Sequence, residues 1–217
     1  MASKLIETPQ LVPIEISNEK KRVTILSNVI KMLTNRKLLA ENDLDKNIKK
    51  IVETQTDDYT YKINLDTKVE SPENKVFIVK VISQKITAIN KSSGISDFLH
   101  TYKNFSKIII VNLINNKTRQ HIEANYPHTK IFLEKQLLMD IVAHDVVPLH
   151  AIMNPEDTEA FLKENFVRKK DMPKIYTTDP IAQYYDMKQG QICRIVRPSE
   201  TSGLVAFYRV VVKGTYK

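Results

Sequence analysis

Short runs of Val and Ile alternate with helical patterns through the first 141 residues, and this alternation restricts the fold more than any other feature. Lys75–Ile82, Lys107–Val111 and Lys130–Leu133 each predict a buried strand, and a further strand is predicted near Tyr59–Leu65. Strands that alternate with helices are typical of an α/β layer in which some strands are parallel. The sequence therefore predicts an N-terminal α/β domain with a mixed sheet flanked by helices.

The longest predicted helix of this region runs from about Glu19 to Leu39, with Asn18 as its N-cap. Apolar residues recur in it at three- and four-residue spacing, which places them on one face. These residues are Val23, Leu26, Ile30 and Leu33. Shorter helices are predicted at Ile95–Tyr102, at Lys117–Asn125 and from the end of the third strand through Leu138.

From about Val142 the pattern changes and predicts a small α+β domain. Asn154-Pro155 and Asp179-Pro180 are both helix starts, in which a capping residue precedes a proline in the first turn. The predicted helices end near Asn165 and Tyr185. Two strands then follow, at Gln191–Arg197 and Leu204–Val212, joined by a turn at Pro198–Gly203. We therefore predict two domains, residues 1–141 and 142–217, the second containing helices and a sheet with a β-hairpin.

The chain carries a formal charge of +8 and a pI near 9.3, which favours approach to polyanions such as nucleic acid. Its Lys and Arg residues are spread along the chain, so a solvated basic surface is an equal interpretation. No apolar run approaches the roughly 18 residues of a membrane span, and the N-terminus lacks a signal-peptide core. The single Cys193 cannot form an internal disulfide, which fits a reducing compartment. These features predict an intracellular protein without membrane contact.

Known active-site motifs are missing from the sequence. It contains no G-x-x-x-x-G-K-[ST] loop and no G-x-G-x-x-G, and its four glycines would hardly supply one. None of the five histidines stands in H-E-x-x-H spacing; His144 and His150, which flank Asp145, are possible metal ligands or simply polar residues of a connection. Cys193 lies in a predicted strand and is interpreted as a packing residue. We predict no catalytic residue, metal, cofactor or small-molecule ligand.

One triplet keeps an enzymatic alternative open. Asp66 and Lys68 have the D-x-K spacing that places a metal-binding carboxylate and a lysine together in many nucleases, and Asp57 and Asp58 lie upstream as further ligands. Such a triplet is also common by chance in a chain rich in Asp and Lys. A metal-dependent nuclease is therefore a minor hypothesis.

Four short motifs follow one another near the C-terminal end of the chain. They are D-P-x-A-x-Y-Y at 179–185, K-x-G-Q at 188–191, R-P-S-E-T-x-G at 197–203 and Y-R at 208–209. Their order and spacing resemble those of the RNA polymerase subunit 5 family, which comprises the common subunit of the nuclear RNA polymerases and its archaeal counterpart.

The resemblance continues upstream, where His144–His150 is similar to the family's H-x-L-V-P-x-H segment and Pro155–Asn165 to its next helix. Met32–Leu39 resembles a helix end of the family but lacks the expected Gly and Tyr, and Lys213–Lys217 extends past the usual end. Because archaeal members have only the C-terminal domain, the chain resembles the eukaryotic form or that of large DNA viruses. The few glycines favour a viral member.

The resemblance implies a structural subunit that carries out no chemistry itself. The C-terminal domain would dock on the largest polymerase subunit, and the N-terminal domain would form part of a jaw beside the downstream DNA. The expected location is the nucleus for a eukaryotic member, or the host cytoplasm, viral factory and virion for a viral one. The candidate residues for contact with the largest subunit are Asp179, Pro180, Ala182, Tyr184, Tyr185, Gly190, Gln191, Arg197, Pro198, Ser199, Glu200, Thr201 and Arg209.

Basic residues of the first helix are candidates for weak, non-specific contact with duplex DNA. They are Lys20, Lys21, Lys31, Arg36 and Lys37. Solvation of that helix face is the alternative interpretation. The overall charge also supports a competing hypothesis, in which the protein binds DNA on its own, without a polymerase.

Overall fold

The computed structural model describes residues 17–39, 59–65, 76–86 and 94–216. Its elements in chain order are α1 (Asn18–Asn35), β1 (Thr60–Asn64), β2 (Val76–Ile86), α2 (Ile95–Thr101), β3 (Ser106–Ile114), α3 (Asn116–Asn125), β4 (Thr129–Leu133), α4 (Glu134–Leu137), β5 (Leu149–Ile152), α5 (Pro155–Glu164), β6 (Lys174–Tyr176), α6 (Pro180–Tyr184), β7 (Ile192–Ser199) and β8 (Gly203–Val212). A short 3₁₀ turn, Lys169–Asp171, precedes β6.

The first four strands form one mixed sheet in the order β1-β2-β3-β4. β1 and β2 are antiparallel, whereas β2, β3 and β4 are parallel. Helices α2 and α3 make the two connections between the parallel strands, as parallel pairing requires. The predicted α/β fold with a mixed sheet is confirmed.

Both faces of this sheet are covered, which explains why β2 and β3 read as continuous apolar runs. Alternate residues such as Val79 and Ile108 pack with α1 in one core. Their neighbours Ile78 and Ile109 pack with α2 and α3 in a second core on the opposite face. The period-two alternation of a strand therefore sends one half of each run to each side.

Strands β5 to β8 form a second sheet in the order β5-β7-β8-β6. β5 and β8 flank β7 in antiparallel pairs, and β6 adds to β8 in parallel. Helix α5 covers one face, where the rings of Phe161 and Tyr208 lie 4.1 Å apart between centroids. Helix α6 covers the other face, where Ala182 packs with Cys193 and Ile195. The predicted α+β fold with a β-hairpin is confirmed.

The bounds of α1 differ from the prediction. The helix begins at Asn18, and its N-cap is Ser17, whose hydroxyl oxygen accepts a hydrogen bond from the Lys20 amide at 3.3 Å. Ser and Asn are equally good caps, so sequence alone could not choose between neighbours. The helix also ends at Asn35, four residues early, and Lys37 then adopts a positive φ of 60°. Val23, predicted to be on the buried face, is 44% exposed.

In the second sheet, the predicted hairpin is longer than expected. β7 continues to Ser199 and β8 begins at Gly203, so the turn contains only residues 200–202. The edge strands β5 and β6 were not predicted, because four and three residues are too few to show a clear period of two.

Candidate partner-binding surface

The D-P-x-A-x-Y-Y motif begins α6 as its sequence predicts. An Asp179 carboxylate oxygen accepts hydrogen bonds from the amides of Ile181, at 2.9 Å, and Ala182, at 3.4 Å. Pro180 occupies the first helical position, where no amide hydrogen is needed. Asp179 therefore caps its own helix, and the exposed part of the motif's start is Pro180.

The end of α6 contacts the end of α1, the helix that packs on one face of the first sheet. Tyr184 is buried in the core beneath α1, and its hydroxyl accepts a hydrogen bond from the Asn35 side chain at 2.8 Å. The Arg36 guanidinium donates to the main-chain oxygens of Tyr184, at 2.7 Å, and Gln183, at 2.9 Å. Burial raises the pKa of Tyr184 to about 12 and lowers the pKa of Arg36. These side chains thus join the two sheets to each other.

Gln183, in the same helix, contacts Arg119 of α3 and Tyr216, which follows β8. Its side-chain nitrogen donates to the Tyr216 hydroxyl at 2.8 Å, and its side-chain oxygen accepts from Arg119 at 3.4 Å. The Arg119 guanidinium lies 4.0 Å from the centre of the Tyr216 ring. The Tyr216 hydroxyl in turn donates to Glu123 of α3 at 3.2 Å. Helix α6 is therefore held on two sides, by residues at the end of α1 and by α3, both of which pack on the first sheet.

Tyr185 and Asp186 follow the helix at the boundary between the sheets. Tyr185 is half-buried, with its ring 5.2 Å from that of Tyr184. Asp186 has a positive φ of 51° and forms ion pairs with Lys130 of β4, at 3.0 Å, and with Lys188, at 2.8 Å. Burial would raise the pKa of this carboxyl, but Lys130 and Lys188 outweigh it, so the pKa is lowered. Asp186 remains ionised and bridges the sheets.

The K-x-G-Q motif forms a turn that is bonded within the chain. Gly190 has φ of 87°, a conformation that favours glycine. Its carbonyl accepts from the Lys169 ammonium at 2.9 Å. The Gln191 side-chain oxygen accepts from the Lys188 amide at 2.6 Å. Gly190 and Gln191 therefore shape this turn, and whether they also touch a partner stays a prediction.

The R-P-S-E-T-x-G motif forms the end of the β7–β8 hairpin. The Arg197 guanidinium lies 3.9 Å from the centre of the Phe207 ring, and the part of the chain that the structure describes shows no ion pair between Arg197 and Glu200. Ser199 and Thr201 approach each other through their hydroxyls at 3.4 Å. The side chains of Arg197, Pro198, Glu200 and Thr201 are exposed. Arg209, farther along β8, is exposed too and donates to the Lys174 carbonyl at 3.4 Å.

One face of this hairpin end carries an apolar strip that sequence analysis did not identify. The strand register places Leu149 of β5 opposite Val196, and Pro198 opposite Leu204. Residues paired across strands point to the same face. Leu149 and Leu204 are 64% and 76% exposed, because α5 covers the other end of the sheet. We call the surface of Leu149, Val196, Pro198, Leu204 and Ala206 the hairpin face.

The predicted DNA-proximal residues lie on α1 and, in the case of Arg36 and Lys37, just after its end, and they divide into two groups. Arg36 is committed to α6, and Lys31 pairs with Asp140 at 3.5 Å. Lys20 and Lys37 are exposed, and Lys21 is partly exposed. Lys31 is still 47% exposed in its ion pair, so only Arg36 among the five predicted DNA-proximal side chains is turned away from solvent.

Where the structure describes them, the residues with possible chemistry do not converge on a site. Cys193 is fully buried, and burial raises the pKa of its thiol to about 11, the opposite of what a nucleophile needs. His144 accepts from the Val146 amide, and His150 lies 2.6 Å from the Pro148 oxygen. Among the described residues, no group of His, Cys, Asp and Glu side chains could hold a metal ion. The predicted nuclease residues Asp57, Asp58, Asp66 and Lys68 lie outside the described ranges.

Comparisons with known proteins identify the family. A sequence model of the RNA polymerase Rpb5 C-terminal domain matches residues 139–211. The chain is also 35% identical over 202 residues to the DNA-directed RNA polymerase subunit 5 of Acanthamoeba polyphaga mimivirus, which covers 90% of this chain and 94% of that protein. The chain belongs to the RNA polymerase subunit 5 family. The family suggested by the four motifs is thereby confirmed.

Eukaryotic members of the family are similar over shorter stretches. The chain is 27% identical over 149 residues to subunit rpabc1 of DNA-directed RNA polymerases I, II and III from Dictyostelium discoideum, covering 67% of this chain and 76% of that protein. It is 38% identical over 81 residues to the corresponding subunit of Caenorhabditis elegans, covering 37% of this chain and 38% of that protein. Within the described ranges, no helix is long and apolar enough to cross a membrane.

Proposed function

We propose that this protein is a non-catalytic structural and assembly subunit of a multisubunit DNA-dependent RNA polymerase, and that the hairpin face docks on the largest subunit. The observation that carries this proposal is the exposed pair Leu149 and Leu204 beside the family motif R-P-S-E-T-x-G. Exposed apolar surface on a sheet end, bordered by arginine and polar residues, is typical of a protein interface.

The residues around the hairpin face can supply the polar rim of such an interface. Arg194, which the strand register places on the same face as Val196 and Pro198, is exposed and can form charge-assisted hydrogen bonds to carboxylates of the largest subunit. Arg197 and Arg209 are exposed too, but they point to the opposite face of the sheet, so they would contact the partner only where it reaches around the hairpin. Glu200 and Thr201, in the turn, can accept and donate hydrogen bonds there. Ala182 and Tyr184 are only 1% and 5% exposed, so they would support docking by holding α6 in place rather than by touching the partner.

We further propose that residues 142–217 serve as the assembly domain and residues 1–141 as part of the jaw beside downstream DNA. Lys20, Lys21 and Lys37 offer solvent-facing charge for phosphates. Such contacts would add weak, salt-dependent affinity without reading sequence. The buried thiol and the scattered histidines support a subunit without its own active site.

The relatives support two possible cellular settings. A eukaryotic member would act in the nucleus, and a member from a large DNA virus would act in the host cytoplasm or viral factory and enter the virion. The mimivirus relative, which is similar over nearly the whole chain, favours the viral setting.

Affinity purification of the chain co-expressed with the largest subunit of its polymerase tests the docking proposal. We expect Leu204→Glu to reduce recovery of that subunit about tenfold or more, because it places a charge in an apolar contact. Leu113→Glu is the matched control, since Leu113 is 51% exposed on the first sheet, away from the hairpin face. Wild-type recovery with Leu204→Glu, or failure of the unmodified chain to recover the largest subunit, would contradict the proposal.

A further inference from the structure

A cleft of about 850 Å³ lies between the two sheets, separate from the hairpin face. One wall is formed by the end of α1 and by the starts of β2, β3 and β4, including Phe77, Ser106 and His128. The opposite wall is formed by β5 and by the turn between α6 and β7. Both sheets contribute, so the cleft exists only because α6 holds them together.

The lining of this cleft is strongly cationic. Arg36, Lys37, Lys130 and Lys188 line it, and Asp186 is the acidic residue among the described residues of the lining. Asp186 is bonded to Lys130 and Lys188, which leaves an excess of positive charge. Lys107 lines the cleft as well, but its ammonium donates to carbonyls of residues 102, 103 and 105. We call this region the basic cleft.

The wall formed by β5 is the edge of the second sheet. The Met153 amide, next to the end of the strand, donates to Ile192 of β7 at 2.9 Å. In antiparallel pairing, alternate residues direct their main-chain groups to the same side. His150 and Ile152 therefore direct theirs away from β7, and both residues line the basic cleft. None of the described residues pairs with this side of β5, and an unpaired strand edge can pair with an added strand.

We infer that the basic cleft binds an extended acidic peptide segment of a protein partner. The segment would add a strand to β5, and its carboxylates would pair with Lys37 and Lys188 on the two walls. The positive charge of the cleft favours an acidic ligand over a basic one. The strand edge favours a peptide over nucleic acid, because nucleic acid has no main-chain amides to pair with β5. Of the Phe and Tyr rings that line the cleft, Phe77 is buried and Tyr185 is half-buried, so both are poor platforms for stacked bases.

Fluorescence anisotropy with the full chain tests this inference. The probe is a labelled eight-residue peptide that alternates Glu and Val, and the comparison probes are a Lys-Val peptide of equal length and a single-stranded eight-nucleotide DNA. We expect the Glu-Val peptide to bind saturably, and we expect neither comparison probe to do so. We also expect binding to fall about tenfold when alternate peptide amides are N-methylated, because methylation blocks strand pairing.

The chain offers a matched pair of variants for the charged walls. We expect the double variant Lys37→Gln and Lys188→Gln to bind the Glu-Val peptide about tenfold more weakly. The double variant Lys117→Gln and Lys170→Gln removes the same charge from exposed positions elsewhere and should bind like wild type. Circular dichroism checks that both variants are folded.

Three results would overturn the inference: equal binding of the Glu-Val and Lys-Val peptides, tighter binding of the oligonucleotide, or unchanged binding by the Lys37 and Lys188 double variant. Leu204→Glu should leave peptide binding intact, since Leu204 lies on the hairpin face. Failure of the docking proposal and failure of this inference are therefore distinguishable.

Discussion

At the scale of single residues, Lys107 shows what a buried charge costs and how the fold accommodates it. This lysine is 1% exposed at the start of β3, and its ammonium donates to the Tyr102, Lys103 and Phe105 oxygens at 2.7, 3.3 and 3.3 Å. Burial lowers its pKa to about 8 from an ordinary value of 10.5. The three hydrogen bonds tie the residues after α2 to the sheet. Burial at the same time disfavours the charged form of the Lys107 ammonium.

This pKa predicts how stability depends on pH. Between pH 8 and 10.5 the unfolded chain binds more protons at Lys107 than the folded chain, so this residue's contribution to stability rises with pH. Relative to Lys107→Met, the wild type should gain on the order of 1–3 kcal/mol of unfolding free energy across this window. Urea unfolding at several pH values measures the difference. Lys117→Met, at an exposed position, should keep the wild-type slope, and a Lys107→Met slope equal to wild type would refute the prediction.

At the scale of elements, the two proline-led helices differ in how they begin. Asp179 caps α6 with two hydrogen bonds, whereas the Asn154 side chain makes no capping bond at the start of α5. The sequence predicted the same role for both residues, because Asn and Asp are equally favoured caps. Whether a cap bond forms depends on the rotamer that the surroundings allow, which a local pattern does not encode.

The difference between these caps can be measured. We expect Asp179→Ala to lower the free energy of unfolding by about 1–2 kcal/mol, because it leaves two α6 amides without their acceptor. Asn154→Ala serves as the comparison and should cost clearly less. Thermal or urea unfolding of both variants tests this, and equal losses would show that the cap bonds at α6 contribute little.

Considered over the whole molecule, α6 lies in the chain between two strands of the second sheet. It packs both on that sheet and on the helices that cover the first one. Arg36 and Asn35 hold its end from one side, and Arg119 holds Gln183 from the other. These contacts join residues far apart in the chain. The predicted boundary near Val142 therefore separates two sheets that share a helix.

Such sharing predicts coupled unfolding of the two sheets. We expect the wild type to unfold in one transition. Arg36→Ala should lose about 1–3 kcal/mol, because it removes the donor to the Tyr184 carbonyl, whereas the Gln183 carbonyl keeps the Asp186 amide. Hydrogen exchange should then accelerate at the end of α1 and in α6 together. Lys20→Ala, at an exposed position of α1, should change neither quantity. Faster exchange in only one of the two helices would contradict the coupling.

The parts of the site that sequence predicted are the local ones. The Asp179 cap, the turn at Gly190 and the β7–β8 hairpin each depend on residues within a few positions of one another. The contact between Arg36 and Tyr184 spans 148 residues, and no local pattern encodes it. The exposure of Leu204 likewise depends on how far α5 reaches across the sheet, so its apolar character alone would have suggested a core residue.

The burial of Cys193 has a practical consequence. It is the single cysteine of the chain, and its thiol is both inaccessible and protonated at neutral pH. Maleimide reagents would therefore leave the native chain unmodified. A cysteine introduced at Ser202, in the exposed hairpin turn, would accept one fluorophore or spin label at a known place. Distances from that label could then be measured inside an assembled complex without first removing the native Cys193.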